Sequence, residues 1–208
     1  MRLAIALLAA ALSAQEVQEV RIKAAGSELS YRYSSPDPKQ RSPLLVVLPG
    51  GGAKPESLAE IFRPWRTMAG DRGWHAILPM VPGGVDGGVK ALEAILADAR
   101  QRLSVDDSRV YLVGAGPAAS EVFYAISRVP DLWTAAVAVE GNPAAAVNSN
   151  RLFAANMHAT PVRPTPPSSQ PARVPSHSAP QVVQNLLPTF TEGRKPCLMA
   201  SCLCKCTG

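Results

Sequence analysis

The chain has 208 residues and a formal charge of +5, enough for one domain with a sizeable core plus extensions but too short for two full domains. Residues 1–162 carry sixteen Lys and Arg against fifteen Asp and Glu, whereas five basic residues face one acidic residue from Arg163 onward. The basic excess belongs to the end of the chain, and no Lys/Arg cluster with interleaved aromatic residues precedes it, which argues against nucleic-acid binding.

Arg2, the apolar run Leu3–Leu12 and the small residues Ser13 and Ala14 have the order of a secretory signal peptide. A run of about ten apolar residues cannot span a bilayer, and it lacks the polar stripe of a packed surface helix. The expectation is a signal peptide over residues 1–14, a secreted or periplasmic location and no membrane association once it is removed.

Val17–Ile22 and Leu29–Tyr33 alternate apolar with polar residues on either side of Gly26-Ser27, which predicts an antiparallel hairpin with one wet face. Pro43-Leu-Leu-Val-Val-Leu48 is apolar almost throughout, as in a strand covered on both faces, and ends in Pro49-Gly50-Gly51-Gly52. Leu58, Ile61, Phe62 and Trp65 follow at helical spacing, and Pro64 is expected to start a second helix. Trp74–Val81 is expected to be a strand that Pro79 ends near Leu78. Asp86 is expected to cap a helix whose apolar face is Val89, Leu92, Ile95, Leu96, Ala99 and Leu103. Val110–Val113 reads as a strand, Ala118–Val129 as a helix and Ala135–Val139 as another strand. Strand and helix thus alternate after a hairpin, which predicts an α/β class with a mostly parallel sheet covered on both faces.

After Val162 six prolines between Pro164 and Pro180 stand among serines without apolar periodicity, so residues 163–208 are expected to form a disordered tail. The four cysteines, Cys197, Cys202, Cys204 and Cys206, all fall in that tail. Their pairing is not readable from sequence, and without histidines beside them they are not read as a metal site. The expected domain therefore covers residues 15–162.

The segment Arg109-Val-Tyr-Leu-Val-Gly114-Ala-Gly116-Pro-Ala-Ala119 reads as a buried strand entering a glycine turn and then a helix. It fits two catalytic templates incompletely. A serine hydrolase needs G-x-S-x-G at such a turn, and position 116 is glycine. A dinucleotide-binding turn needs G-x-G-x-x-G/A, which Gly114, Gly116 and Ala119 supply, with Glu140 standing 24 residues after Gly116 as the candidate ribose-binding acid.

Val105-Asp-Asp-Ser-Arg109-Val-Tyr-Leu-Val-Gly114 and, one helix later, Val129-Pro-Asp-Leu-Trp133-Thr-Ala-Ala-Val137 resemble exported esterases of the α/β-hydrolase superfamily, of the polyhydroxybutyrate-depolymerase and feruloyl-esterase type. Leu44–Gly52 resembles their oxyanion-loop strand, and the likeness covers residues 17–162. It implies an α/β-hydrolase-like sheet, incomplete at its C-terminal side, and an ester or saccharide ligand without a cofactor. Gly114 and Ala118 become the small residues flanking a nucleophile elbow, Gly116 the nucleophile position, and Gly50, Gly51 and Gly52 the loop that would donate an oxyanion N–H. Leu48-Pro49 stands where many members have His-Gly.

The departures at the elbow are chemical. Gly116 has no side chain to attack a carbonyl, and Pro117 lacks the backbone N–H that the residue after the nucleophile donates to the oxyanion. Ser120 belongs to the following helix and is not expected to substitute. Asp131 lies in a helix-to-strand connection, His158 precedes the position expected for the next strand and His177 sits in the tail, so none is read as a triad partner. Thr160-Pro-Val162 resembles the start of a further strand, after which residues from about 163 onward look unrelated to the domain, as a shifted reading frame or recombined gene end would make them. Three function classes follow: a degenerate, inactive esterase; a dinucleotide-dependent oxidoreductase fragment; and a non-catalytic saccharide- or polyester-binding domain.

Overall fold

A computed structural model describes residues 16–24, 26–81, 85–140 and 162–165, with 85–87 and 162–165 as backbone. The expected signal peptide, His158, His177 and the cysteines lie outside the described residues. Among the described residues seven strands form one sheet in the order β1-β2-β4-β3-β5-β6-β7. The first two, β1 (Gln18–Ala24) and β2 (Ser27–Ser34), make the antiparallel hairpin. Only Val20 is buried on β1 whereas Leu29, Tyr31 and Ser34 are buried on β2, because β2 also pairs antiparallel with β4 (His75–Met80). From there β3 (Ser42–Leu48), β4, β5 (Val105–Ala115), β6 (Ala135–Val139) and β7 (Val162–Thr165) run parallel.

Every residue of β3 is buried, the consequence of helices on both faces. Leu45 and Val47 face α1 (Pro55–Asp71) through Leu58, Phe62, Trp65 and Met68. Leu44, Val46 and Leu48 face the opposite way, toward α2 (Val85–Arg102) and α3 (Pro117–Arg128), where Leu92, Ile95, Leu96, Val122 and Ile126 complete the second core. Period-2 alternation on the strand meets period-3.6 faces on the helices, so one apolar run serves two cores.

Three local expectations are corrected. Pro64 does not begin a second helix; it lies inside the single helix α1. A proline inside a helix costs about 3 kcal/mol, but the buried face runs unbroken through it from Phe62 to Trp65 and Met68, and burying each such side chain contributes about 1.5–3 kcal/mol. Pro79 does not end β4 near Leu78 either: the strand reaches Met80, with Pro79 opposite Tyr31 of β2. Registry between β4 and β3 stops at Ile77, so no β3 partner requires the N–H that Pro79 lacks. Asp86 lies within the first turn of α2, which starts at Val85, not ahead of it.

The fifth strand is longer than its apolar centre. Ser42 pairs with Val105 but Leu44 pairs with Val110, so β5 carries a bulge over Asp106–Arg109. The buried Asp106 carboxylate holds that bulge, accepting from Ser108 N (3.1 Å), Ser108 Oγ (2.7 Å) and Arg109 Nε (2.6 Å). These bonds, the Ser108 hydroxyl first, hold its pKa down at about 2. Beyond β6 the sheet continues into β7, where Val162–Thr165 pairs with Ala136–Val139, so the backbone of Arg163, Pro164 and Thr165 belongs to the sheet. Among the described residues β7 is an edge, where a proline costs no ladder bond on its outer side.

Candidate functional site

The chain leaves β3 to add β4 on one side, then returns to add β5 on the other. The connections beyond β3 and β5 therefore diverge to opposite faces, and the C-terminal ends of these two strands bound the crevice where α/β sheets bind ligands. The turn at Gly50–Gly52 follows β3, and Gly116 follows β5.

Gly116 joins β5 to α3 with φ 56° and ψ −120°. That combination lies outside both the right-handed and left-handed helical regions, and a side chain would be strained there. A Cβ at this position would nevertheless meet nothing within 4 Å. The backbone thus makes a sharp strand-to-helix turn, with open space where a side chain would project. The turn is pinned from both sides: Gly116 N–H donates to Val139 O at 2.9 Å, and Ala119 N–H donates to Gly116 O at 3.1 Å.

Gly114 is glycine for a different reason. A Cβ on it would stand 2.7 Å from the Ala118 carbonyl oxygen and 2.8 Å from Val122 Cγ2, so the absent methyl lets α3 lie directly on β5. Gly50, with φ 88°, brings the other loop to the same place: its Cβ would lie 3.2 Å from Ala118 N and 3.4 Å from Ala118 Cβ. Gly50, Gly114, Gly116 and Ala118 are therefore neighbours in space, at the start of α3.

The donors that could act in this crevice are few. Pro117 is the first residue of α3 and has no N–H. Gly51 N–H, on the loop facing the elbow, donates to the Glu121 carboxylate. Glu121 is half-buried on α3, and burial raises its pKa above the usual carboxylate value, an effect the Gly51 N–H partly offsets. An acid side chain therefore occupies the Gly51 N–H, a donor that a hydrolase would keep for substrate. No spacing pattern in the sequence points to Glu121, because its partner is 70 residues earlier.

Ser120 sits in the body of α3, past the elbow. Asp131 is exposed on a short 3-10 turn, Pro130–Leu132, that precedes β6, and so lies toward the opposite end of the sheet from Gly116. Glu140 follows Val139 at the C-terminal end of β6, exposed and with φ 55°, beside the elbow strand. Among the described residues no group of three or more His, Cys, Asp or Glu could hold a metal, and no helix is long and apolar enough to cross a membrane.

A serine–histidine pair does exist, away from the elbow. His75, fully buried at the start of β4, has Nδ1 2.8 Å from Ser35 Oγ and Nε2 3.2 Å from Ser104 O. A carbonyl only accepts, so Nε2 carries the proton and Nδ1 accepts from the serine hydroxyl. His75 pairs in register with Leu44, at the start of the parallel strands, remote from the C-terminal crevice. Buried there with both ring nitrogens engaged, it ties the end of β2 and the α2–β5 connection to the sheet.

Sheet order, two-sided helix cover and elbow together define a mixed α/β sheet of the α/β-hydrolase type. Comparison with solved structures agrees. The chain superposes on esterase Est22 with a TM-score of 0.51 and 16% identity, over 61% of this chain and 44% of that one. It matches the hyperthermophilic esterase from Pyrobaculum calidifontis (TM-score 0.50, 16% identity, 60% and 45% coverage) and Est1E from Butyrivibrio proteoclasticus (0.50, 16%, 59% and 50%). The chain thus spans half or less of the length of each, at identities that establish the fold alone. No family model and no curated protein matches the sequence.

Proposed function

We propose that this chain is an exported protein of esterase lineage, of the polyhydroxybutyrate-depolymerase and feruloyl-esterase type, that has lost ester-hydrolysing chemistry and retains a crevice for non-catalytic binding of an ester polymer or saccharide. The observation that carries this reading is Gly116: the elbow backbone is retained at φ 56° and ψ −120° while the nucleophile is absent. Pro117 removes an oxyanion donor, and losing one such donor alone costs about 10²–10³ in rate. Export rests on the order of Arg2, the apolar run Leu3–Leu12 and Ala14. Co-sedimentation of the full chain with insoluble polyhydroxybutyrate or arabinoxylan, with soluble products assayed in the same tubes, tests the reading. Retention without product release supports it, and release of hydroxy acid or ferulate overturns it.

The dinucleotide reading draws on one specific observation: Glu140 follows the last residue of β6, the strand beside β5, and Gly116 bonds to the residue before it. Against it stands the same helix terminus. A pyrophosphate needs free N–H groups at the start of the helix, but Pro117 has none, Ala119 N–H is spent on Gly116 O, and Gly50 packs over Ala118 N. Thermal stabilisation by NAD or FAD would revive this reading.

A further inference from the structure

We propose that Glu121 is a built-in occupant of the Gly50–Gly52 loop: its carboxylate fills an anion-receiving position at Gly51 N–H and shuts that position to anions from solution. The contact joins α3 to the loop after β3 across 70 residues of chain. Positive φ at Gly50 and Gly52, 88° and 86°, shapes the turn, and Gly50 is seated on Ala118, so the loop is held against the start of α3. Gly51 is exposed, which leaves its amide reachable from solvent once the carboxylate is gone. The fit is close: a Cβ on Gly51 would lie 3.1 Å from Glu121 Oε1.

The occupant also explains how a partly desolvated acid is tolerated beside an apolar core. A half-buried carboxylate is costly without a donor, and an ionised acceptor makes a backbone N–H bond roughly twice as strong as a neutral one. Shortening Glu121 to alanine leaves a donor without its acceptor and a carboxylate-sized space beside it. A small free carboxylate matches both.

The inference rests on the proposed lineage for the loop's ancestral role, but its test does not involve hydrolysis. In the ¹⁵N-labelled full chain, the Gly51 amide resonance is followed during titration with sodium acetate, with sodium chloride at equal ionic strength as control. In Glu121→Ala the resonance should move downfield saturably with acetate and not with chloride; in the parent chain it should stay fixed over the same range. Equal acetate responses in both proteins, or none in Glu121→Ala, overturn the proposal. Should Glu121→Ala fail to fold, Glu121→Gln decides. Its neutral amide oxygen still accepts, so the Gly51 amide should shift upfield and exchange several-fold faster, and an unchanged resonance and exchange rate would refute the contact. Ester turnover, if found, would contradict the functional reading and leave this titration unaffected.

Discussion

Gly114 and Gly116 stand two residues apart and are glycines for opposite reasons. At Gly116 there is space but no comfortable backbone for a side chain; at Gly114 the backbone is ordinary but there is no space. Gly116→Ser is therefore expected to fold with a loss of about 1–3 kcal/mol from the strained φ, and Gly116→Ala to lose a similar amount, because the backbone and not the hydroxyl sets the penalty. Urea denaturation of both variants checks this, and a stability gain in either would contradict it. Gly116→Ser alone should show no p-nitrophenyl ester turnover, since Pro117 still lacks its N–H and Glu121 still holds that of Gly51. Gly114→Ala forces a methyl to 2.7 Å from a backbone oxygen, and overpacking of this kind costs about 1–3 kcal/mol. Thermal unfolding should report a lowered Tm, and an unchanged Tm would show that α3 slides freely on β5. Both glycines were legible in the sequence because a strand-to-turn-to-helix pattern surrounds them. Glu121 was not, because its meaning depends on a loop that only the sheet topology brings near.

Single elements followed their hydrophobic periods, and the corrected positions are two prolines and the helix start at Asp86. Pro64 and Pro79 were expected to end what they interrupt, but each loses at most a backbone bond while its neighbours keep large buried faces. Local chemistry predicted a break, and packing outweighed it. His75 carries a prediction at this scale. Burial holds its pKa below the ordinary histidine value, so the unfolded chain binds a proton more readily than the folded one. Its contribution is complete above about pH 6.5, the unfolded value, and is lost as pH falls toward the depressed folded value. Unfolding free energies measured by urea between pH 8 and 5 should fall with a slope of up to about 1.4 kcal/mol per pH unit below that value. His75→Gln should lose that slope, and identical slopes in both proteins would exclude His75 as its source. Asp106 acts further into acid: held at about 2 by Ser108 and Arg109, its contribution is present above about pH 4, the unfolded value, and disappears as pH falls toward 2.

For the molecule as a whole, the alternation of strand and helix after a hairpin sufficed to anticipate a mixed sheet with two-sided cover. It did not reveal that β2 would pair with β4, or that β5 would enter beside β3. Those pairings join segments far apart in sequence, and no local periodicity encodes them. They also create the crevice, by setting Gly50–Gly52 against the start of α3. On the proposed reading, this crevice keeps the shape of an esterase site without its chemistry. The most direct test incubates the full chain with p-nitrophenyl acetate, with and without a serine-directed phosphonate, and weighs the intact protein afterwards. Turnover no faster than buffer and no phosphonyl adduct are expected. Saturable turnover abolished by the phosphonate, with one adduct per chain, would contradict it.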